Sequence, residues 1–352
     1  MKIAILNNLY YPFNRGGAES VIREMISRLK KNGHEVFLIT TKPFQEIAPE
    51  NTNLRCYHLD SDYHRLAEMA LINKLFWHAS NLFRMKNPRK IKRILTEENP
   101  DLVMTHNLMG LGFKTPLVIK KLGIKHEHYL HDIQLLHPSG LLIFGQEKIL
   151  NSSAAKLYQL FTRRFFAKVD IIFSPSSWLS DQHKKFGFFK NTPVNIKTLI
   201  EYPEASGITN QNREKNHFLF VGQVEHHKGI ILLIEAFKKA LAVNPNLKLS
   251  IVGDGHLLEK AKEAAQNQEK IFFLGRLESQ AVAEQMSKSS CLIIPSLCYE
   301  NSPMTIHEAH QQNLPIIAAR IGGIPEALSQ TDILFTPGSE DDLVDKIISQ
   351  AG

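Results

Sequence analysis

The sequence predicts an α/β protein made of two doubly wound parallel-sheet domains. Three observations carry this. Short β-branched apolar runs alternate with segments whose apolar residues recur at helical spacing. The alternation stops once, in a polar stretch after position 200, and then restarts. The chain of 352 residues is also longer than one hydrophobic core usually organises. Strand–helix–strand order implies a parallel sheet covered by helices on both faces.

The elements follow in order. Residues 2–6 form the first expected strand. In 18–31, Val21, Ile22, Met25, Ile26 and Leu29 share one helical face, and Gly33 stands where a helix ends. Further strands are expected at 35–40, 102–105, 125–129 and 171–174. The stretch 201–216, EYPEASGITNQNREKN, is polar and aperiodic and reads as a linker between domains at 1–200 and 217–352. Beyond it, strands are expected at 217–221, 247–252, 271–274, 291–294 and 315–318. Helices are expected at 230–243, 256–265, 281–287 and 305–312.

Composition excludes several classes. No run approaches the eighteen apolar residues of a membrane span. The opening MKIAILNNLYYP has an apolar run only at 3–6 and reads as a strand, not a signal peptide. Cys56, Cys291 and Cys298 are odd in number and irregularly spaced, so neither a disulfide framework nor a zinc site is expected. A reducing, cytoplasmic setting follows. The net charge of +7 favours anionic partners without choosing among them.

In doubly wound sheets ligands bind outside the carboxyl ends of the strands, so the loops after strands are where chemistry is sought. Gly16 and Gly17 precede the first helix, where backbone N–H groups and the helix N-terminus suit an anion; a tight turn needing glycine is the alternative. In the second domain, Gly222, Gln223 and Lys228 lie in a glycine-bounded loop before an apolar helix, an arrangement suited to a diphosphate. It is no Walker loop. Gly253-Asp254-Gly255 lacks the third glycine of a dinucleotide fingerprint and reads as a turn.

The loop after 291–294 carries Glu300, Asn301, Ser302, Pro303, Met304, Thr305 and Glu308. Ser302 is expected to cap a helix with Pro303 at its first position. Glu300 then lies before the helix and Glu308 on an early turn. Each carboxylate can accept two hydroxyl hydrogen bonds, as sugar rings offer, and the helix N-terminus suits phosphate. Alternatively Glu308 merely suits a helix N-terminal half and Glu300 is solvated.

Taken together, Gly-x5-Lys-Gly from Gly222 to Gly229 and Glu-x7-Glu from Glu300 to Glu308 resemble the retaining glycosyltransferase family 4. So do Gly16-Gly17-Ala18-Glu19, His131-Asp132, Gly253-Asp254-Gly255 and Gly322-Gly323-Ile324-Pro325-Glu326, so that the likeness spans nearly the whole chain. The resemblance implies GT-B architecture: two Rossmann-like domains facing each other across a cleft. It implies a metal-independent hexosyltransferase that moves a sugar with retention from a UDP- or GDP-type nucleotide sugar to a glycan or lipid-linked acceptor. No cofactor is implied beyond that co-substrate. Lys228 would neutralise the diphosphate, Glu300 would bind donor-sugar hydroxyls and Glu308 ribose hydroxyls. The backbone of 302–305 would face the distal phosphate. His131 would reach the donor sugar near the reacting carbon, Gly17 would lie near phosphate or acceptor, and Arg276 and Leu277 would border the base.

The chain departs from the family pattern in three places. Gln223 stands where arginine is common, and Asn301-Ser302 replaces Phe-Gly. The sequence stops at Gly352, where relatives commonly continue into a C-terminal crossover helix, so either that helix is expected to be short or the sequence to be incomplete. The competing readings are a degenerate or truncated sugar-nucleotide-binding protein, a GT-B nucleotide-sugar epimerase and a phosphorylase. Asp60-Ser61-Asp62 matches a metal motif of the other glycosyltransferase architecture, but it is remote from the donor motifs. His126, His128 and His137 show no clean metal-ligand spacing. No nucleic-acid-binding signature is present.

Finally, 65–93 holds Arg65, Lys74, Arg84, Lys86, Arg89, Lys90, Lys92 and Arg93 against one acid, Glu68. Leu71, Ile72, Leu75, Phe76, Trp77, Leu82, Phe83 and Met85 are interleaved. A basic amphipathic helix of this kind suits an anionic membrane surface. The protein is therefore expected in the cytoplasm, peripheral at the inner face of the membrane. The alternative is a core-facing helix with solvated charges.

Overall fold

The computed structural model describes residues 1–13, 17–47, 53–198, 213–266 and 268–351. Gly16 and most of the expected linker, 201–212, lie outside the described residues. The chain divides into two compact units. The first is Met1–Leu141 with Lys148–Ile200, and the second is Leu142–Glu147 with Glu201–Gly352.

The first unit has a seven-stranded sheet in the order β3-β2-β1-β4-β5-β6-β7, parallel throughout. Its strands are β1 (Lys2–Leu6), β2 (Glu35–Lys42), β3 (Arg55–Asp60), β4 (Leu102–Thr105), β5 (Lys125–Tyr129), β6 (Ile171–Ser174) and β7 (Val194–Ile196). The helices are α1 (Gly17–Lys31), α2 (Leu71–Phe83), α3 (Lys86–Glu98), α4 (Thr115–Leu122), α5 (Ser153–Phe166) and α6 (Ser177–Lys185). Strand order reverses between β1 and β4, the switch point at which doubly wound sheets bind ligands.

The second unit has a six-stranded parallel sheet, β10-β9-β8-β11-β12-β13. Here the strands are β8 (His217–Val221), β9 (Lys248–Val252), β10 (Ile271–Gly275), β11 (Cys291–Ile294), β12 (Ile316–Ala319) and β13 (Ile333–Phe335). They alternate with α7 (Ile230–Val243), α8 (Leu258–Ala264), α9 (Ser279–Lys288), α10 (Met304–Gln311), α11 (Ile324–Ala327) and α12 (Glu340–Gln350). Phe218, Leu219, Leu233, Phe237, Leu292, Ile293 and Ile317 form its closed core. This run of apolar strands is what a sheet covered on both faces requires.

Two expectations need correction. The basic window 65–93 is not one helix. It contains a 3-10 turn at Asp62–Glu68 and then α2 and α3. Pro88 lacks the N–H that would continue α2, so the chain breaks at Arg84–Met85 and restarts. The Arg89–Arg93 cluster belongs to α3, whose opposite face, with Ile91, Ile94 and Leu95, is core. Likewise 213–216 is not loose linker. Arg213 donates to the carbonyls of Met286 at 2.9 Å and Ser289 at 2.8 Å, beside the C-terminal end of α9.

Candidate functional site

The best-defined cluster sits at the switch point of the second sheet, between β8 and β11. The loop after β8 makes one tight turn, His226–Lys228, and Gly229 starts α7 at φ 75°. A side chain at Gly229 would place its Cβ 1.8 Å from the Pro295 carbonyl oxygen, so only glycine allows the two loops this close. The His227 carbonyl then accepts from the amides of Leu297 at 2.9 Å and Cys298 at 3.1 Å. These bonds bring Lys228 to the loop that ends β11.

Lys228 Nζ lies 2.9 Å from Glu300 Oε2, and the Ser296 hydroxyl donates to Glu300 Oε1. Burial opposes the Glu300 charge most strongly, but the Lys228 ammonium and the two hydrogen bonds outweigh it and hold the carboxyl below its ordinary pKa. Burial also opposes the Lys228 charge, and Glu300 outweighs it, so this pKa is raised. Both residues are therefore ionised at neutral pH. A second glycine serves the same loop. At Gly322, φ 63°, an added Cβ would meet the Glu300 carbonyl oxygen at 2.2 Å, and Gly323 N–H donates to that oxygen at 2.6 Å.

Glu308, on the second turn of α10, is half-buried and has no hydrogen-bond or ion-pair partner among the described residues. Burial raises its pKa. A carboxylate taken from water without a partner is unfavourable unless something supplies hydrogen bonds. The expected cap at Ser302 is not formed. Pro303, at φ −60° and ψ 127°, occupies the N-cap position, and α10 begins at Met304. The extended ψ of Pro303 delays the helix by one residue. The Ser302 hydroxyl instead bonds the His307 ring at 2.8 Å. Asn301, Met304 and Thr305 are half-buried around this turn.

The remaining residues of the second unit lie at neighbouring strand ends. Gly222 follows β8, and its amide bonds the Val252 carbonyl at 3.0 Å. Gly253-Asp254-Gly255 is more than a turn. A Cβ at Gly253 would lie 1.8 Å from the Gly222 carbonyl oxygen, and one at Gly255 2.4 Å from that of Val224. Gln223 and Arg276 are exposed, and Leu277 packs on the core.

A strap that sequence reasoning missed also supports this loop. Ile143 and Cys298 form an antiparallel bridge, Phe144 N–H donates to Leu297 at 2.8 Å, and Tyr299 N–H donates to Leu142 at 2.9 Å. The Tyr299 hydroxyl donates to Glu147 at 2.7 Å. The only sequence signal was a short apolar run, 141–144, inside an otherwise irregular stretch.

In the first unit, His131 follows β5 and is half-buried, with its pKa lowered to about 4 by burial. Its Nε2 lies 2.7 Å from Nδ1 of His106, which follows β4. Asp132 accepts the Gln134 amide at 2.6 Å, and burial raises its pKa to about 6. Gly17 is the exposed first residue of α1. Asp60 and Asp62 go separate ways: Asp60 pairs with Lys42 at 2.8 Å, and Asp62 approaches Arg84 at 3.6 Å. Among the described residues no three His, Cys, Asp or Glu side chains converge as metal ligands do.

Comparison with known proteins assigns the chain. Residues 15–196 match the model of Glycosyltransferase Family 4, and residues 202–350 match that of Glycosyl transferases group 1. The chain belongs to glycosyltransferase family 4. Within the family it is 25% identical over 333 residues to a 42.6 kDa protein of the cps region of Klebsiella pneumoniae, covering 93% of this chain and 87% of that one. It is 24% identical to the alpha-monoglucosyldiacylglycerol synthase of Streptococcus pneumoniae, covering 90% and 71%. Among solved structures, Anabaena HepE in complex with UDP and glucose superposes with a TM-score of 0.68 at 16% identity, covering 99% of this glycosyltransferase and 89% of that chain. That likeness supports the GT-B fold.

Proposed function

We propose that this glycosyltransferase transfers a hexose, with retention and without a metal ion, from a UDP- or GDP-type nucleotide sugar to a glycan or lipid-linked acceptor. The carrying observation is the contrast between two carboxylates eight residues apart. Glu300 is held ionised by Lys228, whereas Glu308 is half-buried and has no partner among the described residues. A nucleotide sugar brings what both lack. Its diphosphate gives Lys228 a second anion, and its sugar and ribose hydroxyls give Glu300 and Glu308 donors.

The chemistry follows from that placement. As the glycosidic bond breaks, charge grows on the diphosphate, and Lys228 with the amides opening α10 supplies the compensating field. Glu300 orients the transferred sugar, and Ser296 holds its other oxygen in place. The family resemblance assigns His131 to the donor sugar. Gly17, Arg276, Leu277 and Gln223 are assigned to the phosphate or acceptor, the base, and the loop beside Lys228. Complexes of HepE with UDP and UDP-glucose support the donor class. A donor screen tests it: UDP-, GDP- and ADP-sugars are offered in turn and release of nucleoside diphosphate is followed. Release from one class, abolished in Lys228→Ala, is expected; no release from any defeats the reading.

The acceptor side has its own observation. On α2, Ile72, Leu75 and Phe76 are 64%, 62% and 69% exposed and share one face with Phe83. Phe83 meets Phe161 of α5 edge-on at 4.7 Å, and Leu157 and Leu160 of α5 are exposed too. Lys74, Arg84, Lys156, Arg163 and Arg164 lie on the same two helices or next to them. An apolar face carrying cations suits an anionic lipid surface, and the name of the Streptococcus relative is that of an enzyme making a glycosylated diacylglycerol. No described helix is long and apolar enough to cross a membrane.

A further inference from the structure

His106 and His131 form a pair of rings joined nitrogen to nitrogen. Nδ1 of His106 is 2.7 Å from Nε2 of His131. At that distance one nitrogen carries the proton and the other offers its lone pair. The two tautomers differ in what they leave behind. Nε2 of His106 is sealed from solvent and has no hydrogen-bond partner among the described residues. A proton on Nε2 would leave a buried N–H unsatisfied. A proton on Nδ1 is used in the pair, and Nε2 keeps only a lone pair. Buried orphan donors are rarer than under-satisfied acceptors.

The ring has little freedom to choose otherwise. His106 is 1% exposed. Its backbone N–H bonds the Leu6 carbonyl at 2.9 Å, at the switch point of the first sheet. Its ring stacks on Tyr129 at 4.9 Å and 19°, and Tyr129 stacks on Phe173 at 4.6 Å and 17°. The Tyr129 hydroxyl is tied to Glu127 at 3.1 Å. A three-ring column therefore sets the plane of His106, and its in-plane nitrogen meets His131. Protonation of both rings is opposed as well. Burial, reinforced by the neighbouring His131 and His128, keeps His106 neutral well below its ordinary range.

We infer that His106 is a positioning residue that donates Nδ1–H to Nε2 of His131 and so holds His131 as the Nδ1–H tautomer. His131 then carries its proton on Nδ1, and its Nε2 is taken up by His106. Such a group serves the transferred sugar as a hydrogen-bond donor and not as a base. The inference rests on the assignment of His131 to that sugar, but the tautomer itself does not.

The test combines nitrogen NMR with kinetics. In the full chain labelled with 15N-histidine, His131 is expected to show a protonated Nδ1 and an unprotonated Nε2. With the donor the wild type turns over best, His106→Leu is expected to lower kcat by about 10–100-fold, the size of loss that follows removal of the hydrogen-bond partner orienting a metal-bound histidine, and to move KM by less than about threefold. Asparagine places an N–H near the position of Nδ1, so His106→Asn should recover most of the rate, and leucine should shift the His131 tautomer. A proton on Nε2 of His131 in the wild type overturns the inference, as do equal losses in the asparagine and leucine variants. An active His131→Ala would instead remove the role of His131 toward the sugar and leave the NMR result to decide the pairing.

Discussion

Lys228 Nζ and Glu300 Oε2 pair at 2.9 Å, so the cation that the proposed function assigns to the donor diphosphate is already matched by an anion of its own chain. Each side chain is mostly covered, with 25% and 13% exposed. Removing either leaves the other partly buried without its counter-charge. Lys228→Met and Glu300→Gln are each expected to destabilise the chain by about 1–3 kcal/mol. The double variant should be less destabilised than the sum, by about 0.5–3 kcal/mol. Urea unfolding of the four forms checks this, and strict additivity would remove the pair from the account.

Acid should loosen the first unit. Burial lowers the pKa of His126 to about 3 and of His131 and His183 to about 4. The unfolded chain binds these protons near pH 6.5. At these three histidines the unfolded state therefore holds more protons between about pH 6.5 and 4, and their contribution to stability falls as pH falls; Asp132, raised to about 6, offsets only part of it. Each such histidine contributes on the order of 1.4 kcal/mol per pH unit across that window. Denaturation midpoints from pH 7.5 to 4.5 should decline, with a shallower slope in His183→Gln. A flat profile contradicts the buried neutral histidines.

Much of the fold was legible because its strands are short, apolar and bounded by polar residues. Strands β1, β4, β5, β6, β8 and β11 and helix α7 fall at their expected bounds. The strands that escaped notice are β3, β7 and β13. RCYHLD interleaves polar residues with a half-buried edge, and the others have three residues each, too few for a period to show. At the candidate site, sequence brought out Lys228, Glu300 and Glu308. It could not reveal that Gly229, Gly253 and Gly322 are needed for close backbone approach, because that need arises from a neighbouring strand end. His106 escaped notice because a histidine after a strand carries no local signal of its partner 25 residues on.

Turnover should survive chelation. In the proposed function Lys228 and the α10 N-terminus would supply the field that a divalent ion supplies elsewhere. Donor consumption in excess EDTA should match that in its absence. Loss in chelator with recovery in manganese contradicts metal independence.

Liposome flotation checks the α2–α5 face. The protein should float with vesicles rich in phosphatidylglycerol, less so at high salt, and less with Phe76→Ser and Leu160→Ser together. Cofractionation with neutral vesicles alone, or none with anionic vesicles at low salt, contradicts the surface and favours a soluble glycan acceptor.

The central claim is that Lys228 and Glu308 hold different parts of one nucleotide-sugar donor, and calorimetric titration with UDP, GDP, uridine and guanosine tests it most directly. With the preferred base, Lys228→Ala should weaken the nucleoside diphosphate by about 10–100-fold and leave the nucleoside nearly unchanged. Glu308→Ala should weaken both, because both carry the ribose. If both variants bind the diphosphate and the nucleoside as the wild type does, these residues do not hold the donor.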